Sequence, residues 1–173
     1  QTGALARKAA AEFTSQNVRG VILDLRGDGG GYLEAAKSVA SLWLNNQLVT
    51  EQKRNGVVIE KVVSERDAPL ANMKTVVLID GGTASASEIV AGALRDHSKA
   101  TLYGEKSFGK GSVQEPLSFG DGSMLKVTVA RWFTPKGVNV SDKGIIPDKE
   151  IKRTTEDVNA GRDPQLDAAQ KAV

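Results

Sequence analysis

Two short apolar runs, each broken by glycines and each followed by a helical pattern, constrain this chain more than any other feature. Val21-Ile22-Leu23-Asp24-Leu25 stops at Arg26 and turns through Gly27-Asp28-Gly29-Gly30-Gly31. Residues 32–44 then carry Leu33, Ala36, Val39, Ala40, Trp43 and Leu44 at helical spacing. The same order returns in residues 75–79, the Asp80-Gly81-Gly82-Thr83 break and the helical pattern of residues 85–94. A continuous apolar run of strand length suits a strand covered on both faces, and strand, helix, strand, helix predicts a partly parallel sheet. With 173 residues, 40% of them hydrophobic, the chain can bury one sizeable core without staples, so a single α/β domain spanning 1–173 is expected.

The flanking segments add to this frame. Residues 4–16 are strong helix formers, with Leu5, Ala9 and Phe13 spaced four apart as the inner face. Residues 48–53 and 57–63 flank Arg54-Asn55-Gly56, whose Asn-Gly pair predicts a β-hairpin. Beyond Ala100 the chain turns β-rich, with short strand patterns at 101–103, 112–117 and 124–133 between glycine turns. Asp163-Pro164-Gln165-Leu166 opens a last helix, with Asp163 as cap and Pro164 in the first position.

Composition removes several kinds of function. The 23 Lys and Arg against 21 Asp and Glu leave a net charge of +2 with no dense basic block, so no footprint for nucleic acid is present. Zero Cys excludes disulfides, a Cys nucleophile and thiolate metal sites, and a lone His97 excludes a metal cluster built from histidines. No run approaches the roughly 18 uninterrupted apolar residues of a membrane span. The first thirty residues lack the order of a signal peptide, and the start at Gln1 leads us to expect a fragment.

Three glycine motifs imitate known sites and fail on inspection. Gly104-Glu105-Lys106-Ser107-Phe108-Gly109-Lys110 has Gly111 where a phosphate-binding loop needs Ser or Thr, and a strand pattern follows it instead of a helix. No register of Gly27–Gly31 gives the dinucleotide-binding fingerprint, because the third glycine falls on Tyr32 or Glu34. Ser107 and Lys110 imitate a Ser-x-x-Lys pair, which needs a helix that Gly109 and Gly111 oppose.

The segment Thr83-Ala84-Ser85-Ala86-Ser87-Glu88 survives. A strand-to-helix turn can project a hydroxyl from a sharp bend, with helix-start N–H groups aimed at developing negative charge. The competing account is that small residues merely allow close packing, with Ser85 or Ser87 as a helix cap in a capping-box run. A serine nucleophile needs a base, yet His97 is three turns away, about 18 Å along the helix axis. His97 is instead expected to interact with its own helix C-terminus. A lysine replaces histidine when burial favours its neutral amine, and Lys110 sits between glycines that permit close approach, although such a lysine also suits an exposed turn.

Together these residues resemble the catalytic core of the carboxyl-terminal processing, or tail-specific, proteases. The resemblance runs through residues 21–26 with their glycine turn, Gly82-Thr83-Ala84-Ser85-Ala86-Ser87-Glu88-Ile89, Ser107-Phe108-Gly109-Lys110-Gly111-Ser112-Val113-Gln114, and Gly144-Ile145-Ile146-Pro147-Asp148. It implies a serine endopeptidase acting near the C-terminus of unfolded or flexible-tailed proteins. Its nucleophile falls on Ser85, its general base on Lys110 and its lysine-orienting residue on Gln114. The oxyanion donors fall on the backbone N–H groups of Gly31, or its neighbour Gly30, and Ala86, while Ser87 and Glu88 are taken as structural. The implied fold is the mixed α/β core shared with the Clp protease and crotonase superfamily, with no metal or cofactor. Relatives commonly have Asn-Pro where this chain has Asp28-Gly29, and Asn where it has Asp80. A PDZ domain and a leading segment are usual in the family and do not occur in these 173 residues. The resemblance alone implies protein or peptide partners and an extracytoplasmic location, in periplasm, cell surface or lumen. Rival expectations are a peptide-binding module without catalysis and a crotonase-like acyl-CoA enzyme.

Overall fold

The computed structural model describes residues 1–141 and 143–173 and divides the strands between two four-stranded sheets. The first is parallel, in the order β1 (Gly20–Asp24), β4 (Lys74–Ile79), β5 (Thr101–Gly104) and β8 (Lys149–Glu150). Side chains alternate faces along a strand, so a strand apolar at every position needs cover on both sides. In β4, Val77 and Ile79 enter the large core with Ala36 and Val39 of α2 (Leu33–Ala40) and Ile89, Val90 and Leu94 of α3 (Ala86–Asp96). Val76 and Leu78 face the other way, onto Leu166 and Ala169 of α5 (Pro164–Ala172). The α1 helix (Thr2–Ser15) packs on α2 and adds Ala10 to the edge of the same core.

The second sheet is antiparallel, in the order β3 (Val57–Val63), β2 (Leu48–Arg54), β7 (Met124–Phe133) and β6 (Ser112–Ser118). Asn55 and Gly56 both have positive φ, 51° and 80°, as a two-residue hairpin turn matched to strand twist requires. Only residues 51–53 of β2 pair with residues 131–133 of β7, so the outer part of the β6–β7 ribbon projects beyond the sheet. The mixed α/β character expected from the sequence is thus partitioned, parallel strands in one sheet and antiparallel strands in the other.

Some local expectations give way to tertiary contacts. The helix expected over 32–44 ends at Ala40, although Leu42, Trp43 and Leu44 stay buried. Ser41 Oγ bonds back to the Lys37 carbonyl (2.7 Å) and accepts from Glu65 N–H (2.9 Å), while Trp43 Nε1 donates to Thr75 Oγ1 (2.8 Å). Those bonds to distant segments replace further helical turns. In α1, Leu5 is 65% exposed and the packed stripe is Ala6, Ala10 and Phe13, because a spacing of four drifts around a helix of about 3.6 residues per turn. His97 caps α3, but its ring bonds elsewhere: Nε2 donates to the Leu48 carbonyl at 2.7 Å and ties α3 to β2. The two-residue β8 and five-residue α4 (Thr155–Asn159) are too short to show a period in sequence.

A cationic staple closes the C-terminal segment over the end of β1. Arg26 donates to Asp24 Oδ2 (2.6 Å), Asp163 Oδ1 (2.9 Å) and Gln165 Oε1 (2.9 Å). Asp163 in turn caps α5 through Leu166 N–H at 3.0 Å, and buried Gln165 donates to the Ile151 carbonyl at 2.7 Å. The Asp24 hydrogen bond raises the Arg26 guanidinium further above its already high value. The Arg26 hydrogen bond holds the Asp163 carboxyl below its ordinary value. Burial pushes Asp24 up, but hydrogen bonds from Arg26 outweigh it and leave that carboxyl low as well. Both carboxyls bind protons less readily folded than unfolded, so their stabilisation is complete above about pH 4 and is lost as pH falls through the lower folded values. Denaturant melts between pH 5 and pH 2 are expected to show that loss. Arg26→Met is expected to flatten the slope there and to cost about 1–3 kcal/mol at neutral pH; an unchanged slope would place the acid sensitivity elsewhere.

Candidate active site

Three loops leave the carboxyl ends of the adjacent strands β1, β4 and β5, the edge of a parallel sheet where α/β folds build their sites. Asp80 fastens the first two together. Its Oδ1 accepts from Gly27 N–H (2.9 Å), Gly82 N–H (2.9 Å) and Thr83 N–H (3.1 Å). Thr83 Oγ1 donates to the Leu25 carbonyl (2.8 Å), and Ala84 N–H donates to the Asp28 carbonyl (2.9 Å). The loops touch so closely that a Cβ on Gly82 would lie 2.8 Å from Gly27 Cα.

Ser85 ends this second loop as the residue before α3, with φ 56° and ψ −118°. A non-glycine residue in that region stores roughly 1–3 kcal/mol, which the surrounding bonds must hold in place. Ser85 N–H donates to Glu88 Oε2 at 2.9 Å. The Ser85 hydroxyl faces the Glu88 amide in capping-box fashion but makes no capping bond of good geometry. Gly30 supports the bend from below: with φ 90°, its added Cβ would stand 2.6 Å from the Ala84 carbonyl oxygen and 2.7 Å from Ala86 N.

Glu88 is fully buried and reaches the third loop. Besides Ser85, it accepts from Ser107 Oγ (2.5 Å), Gly109 N–H (2.8 Å) and Lys110 N–H (2.9 Å). Ser107 Oγ accepts in its turn from Ile145 N–H at 2.6 Å. One carboxylate therefore sets the serine turn against the lysine loop, through charge-assisted bonds that a buried anion needs. Lys110 is held on its other side by Trp132 Nε1, which donates to its carbonyl at 2.8 Å, and Asn139 Nδ2 donates to the Gly111 carbonyl at 3.1 Å. With the backbone held in this way, the Lys110 side chain is exposed, as the turn-lysine account has it.

A cavity of about 370 Å³ opens where these loops meet the antiparallel sheet, and Gly31, Ser85, Ala86, Lys110 and Gln114 all line it. Among the described residues, neither Gly31 N–H nor Ala86 N–H has a hydrogen-bond partner. Ala86 is the first residue of α3, where helix N–H groups are unsatisfied. Gly30 N–H is taken by Asp28 Oδ1 at 2.9 Å, so of the two candidate glycines only Gly31 keeps a free donor. Tyr32, Leu33 and Ile89 add an apolar side, and the antiparallel sheet contributes Thr50, Gln52, Lys126 and Trp132, none of which sequence reasoning singled out, because no local motif marks them. Gln114 is exposed on β6. Among the described residues no three His, Asp or Glu side chains gather in a group that could hold a metal ion.

Residues 1–151 match the family model for peptidase family S41. The chain is 40% identical over 147 residues to a probable CtpA-like serine protease of Staphylococcus haemolyticus, covering 84% of this chain and 30% of that protein. It is 38% identical over 161 residues to the carboxy-terminal-processing protease of Bartonella bacilliformis, covering 90% and 36%. Among solved structures, the photosystem II D1 C-terminal processing protease superposes with a TM-score of 0.82 at 36% identity, over 87% of this chain and 39% of that one. Tricorn protease shares the fold at 21% identity, with a TM-score of 0.64. The chain thus spans about a third of the length of the curated relatives it matches. Among the described residues no helix is long and apolar enough to cross a membrane. The profile match over most of the length, the processing proteases among its relatives and the shared α/β core carry one conclusion: this chain belongs to peptidase family S41.

Proposed function

We propose that the chain is the single peptidase core, residues 1–173, of a serine endopeptidase that cleaves near the C-terminus of unfolded or flexible-tailed proteins outside the cytoplasm. The observation that carries this reading is the pair of unpartnered N–H groups, Gly31 and Ala86, in one cavity with Ser85 and Lys110. Lys110, as the neutral amine, takes the Ser85 proton while Oγ attacks the scissile carbonyl carbon. The carbonyl oxygen becomes an oxyanion between the two N–H groups, where each preorganised donor contributes about 3–4 kcal/mol to the transition state. Collapse breaks the C–N bond, and the leaving amine takes the proton from Lys110. Water then attacks the Ser85 ester with Lys110 again as base, releasing the acid and restoring the serine. Gln114 orients the lysine amine from the cavity wall.

A second reading, a peptide-binding module that does not cut, draws on the exposure of the Lys110 side chain. Gel-based cleavage of an unfolded protein with an apolar C-terminus separates the two. Cleavage is expected to vanish in Ser85→Ala and in Lys110→Met while the fold persists. Cutting retained by either variant would end the dyad mechanism; binding without cutting by the unaltered chain would favour the second reading.

Glu88 gives a separate test of how the two loops are held. Glu88→Gln places an amide NH₂ against two of the four donors, so it is expected to lower the melting temperature and displace Lys110 relative to Ser85. A misplacement of about 1 Å costs on the order of a hundredfold in kcat. Unchanged kcat in a folded Glu88→Gln protein would show that the carboxylate is not what aligns the pair.

A further inference from the structure

One charged group of the cavity has no part in the chemistry at Ser85. Lys126 of β7 lines the same cavity, is exposed, and belongs to none of the ion pairs among the described residues. The cavity wall carries two lysines, Lys110 and Lys126, and no carboxylate. The acids nearest in the sheet are turned away or engaged. Glu115 pairs with Val127 and so sits on the opposite face of the ribbon, Asp121 holds Ser123 N–H and Oγ in the hairpin turn, and Glu60 accepts from Gln52 Nε2 at 2.6 Å.

Register places Lys126 relative to the catalytic candidates. Lys126 stands opposite Pro116, and the next pair inward on the same face is Gln114 with Thr128. At about 3.3 Å per residue this puts Lys126 about 7 Å along the ribbon from Gln114, in the part that projects beyond β2. Met124, one step further out on that face, is 60% exposed. An extended peptide leaving Ser85 along the ribbon therefore meets a free ammonium and an apolar surface within a few residues.

We propose that Lys126 is the docking point for a carboxylate of the bound peptide, the α-carboxylate of its C-terminus, on the side of the cavity formed by β6 and β7. The proposal deepens the peptidase reading and rests on it for the choice of a peptide as ligand. A single exposed lysine contributes a modest, salt-sensitive preference, about two- to fivefold in affinity. An acidic side chain offers the same chemistry, and the peptides below distinguish the two sources.

The test measures binding of fluorescently labelled peptides to the full chain carrying Ser85→Ala, which leaves the peptide uncut. One apolar-ended peptide is prepared as the free acid, as the C-terminal amide, and as the amide with a glutamate in place of its third-last residue. The free acid is expected to bind about two- to fivefold tighter than the amide at low salt, and the contrast to fade as salt is raised. Adding Lys126→Gln is expected to remove the contrast by weakening the acid alone, with no change in melting temperature. Rescue by the internal glutamate, lost again in Lys126→Gln, would support the carboxylate site and assign it to acidic side chains as well. No acid-to-amide contrast, whether from equal binding or from none, overturns the proposal, as does an equal loss for both peptides in Lys126→Gln. Cleavage by the unaltered chain without the contrast would spare the peptidase reading. The contrast without cleavage would spare the Lys126 site and retire the peptidase reading.

Discussion

The structure turns on a buried anion. Glu88 has no exposed surface, and its two oxygens meet only donors: the N–H groups of Ser85, Gly109 and Lys110 and the hydroxyl of Ser107. An ionised carboxylate is an acceptor-only group, which suits a site that presents three backbone N–H donors and a hydroxyl whose acceptor side is taken by Ile145 N–H. An isolated charge in that position would be prohibitive, and the four bonds are what make its burial tolerable. They also carry geometry, because Ser85 is the residue that caps the start of α3 and Lys110 lies 25 residues on, past β5. The strained backbone at Ser85 persists because its N–H is anchored from one side and Gly30 packs beneath it from the other.

The two sheets divide the work. The parallel sheet ends in three loops that supply the hydroxyl, the free N–H pair and the lysine, with Asp80 and Glu88 as the carboxylates that lock loop to loop. The antiparallel sheet supplies the opposite wall through Thr50, Gln52, Lys126 and Trp132. Trp132 joins the halves directly, since its ring N–H bonds to the Lys110 carbonyl while its body sits in the core. Behind β1, Arg26 brings the C-terminal helix under the same loops, so the site is braced from three directions.

Much of this was legible in the residues. The apolar strands and glycine turns predicted the parallel sheet, Asn55-Gly56 the hairpin, and Asp163-Pro164 the start of α5, because each signal acts within a few residues of chain. Ser85 stood out at a strand-to-helix turn, and Glu88 was visible as the fourth residue of a capping-box run. Its reach to the lysine loop was not visible, since nothing in Ser-x-x-Glu says which distant N–H groups will arrive. The helix expected over 32–44 fell short for the same reason: bonds from Ser41 and Trp43 to Glu65 and Thr75 depend on segments more than twenty residues away.

By itself, then, the sequence determined the order of elements, the glycine turns at the strand ends, and the serine and lysine segments of an S41 peptidase core, all properties of local backbone preference and short-range pattern. Tertiary structure alone decided which donors are free, which carboxylates are spent, and what walls the cavity. Gly30 and Gly31 are neighbours of the same type, yet one N–H is bonded to Asp28 and the other is open to the cavity. Lys110 and Lys126 are both exposed lysines in sequence terms, and only the meeting of two sheets brings them to one cavity. Hydrogen-bond satisfaction and enclosure are properties of surfaces that meet in space, and spacing along the chain carries no record of them.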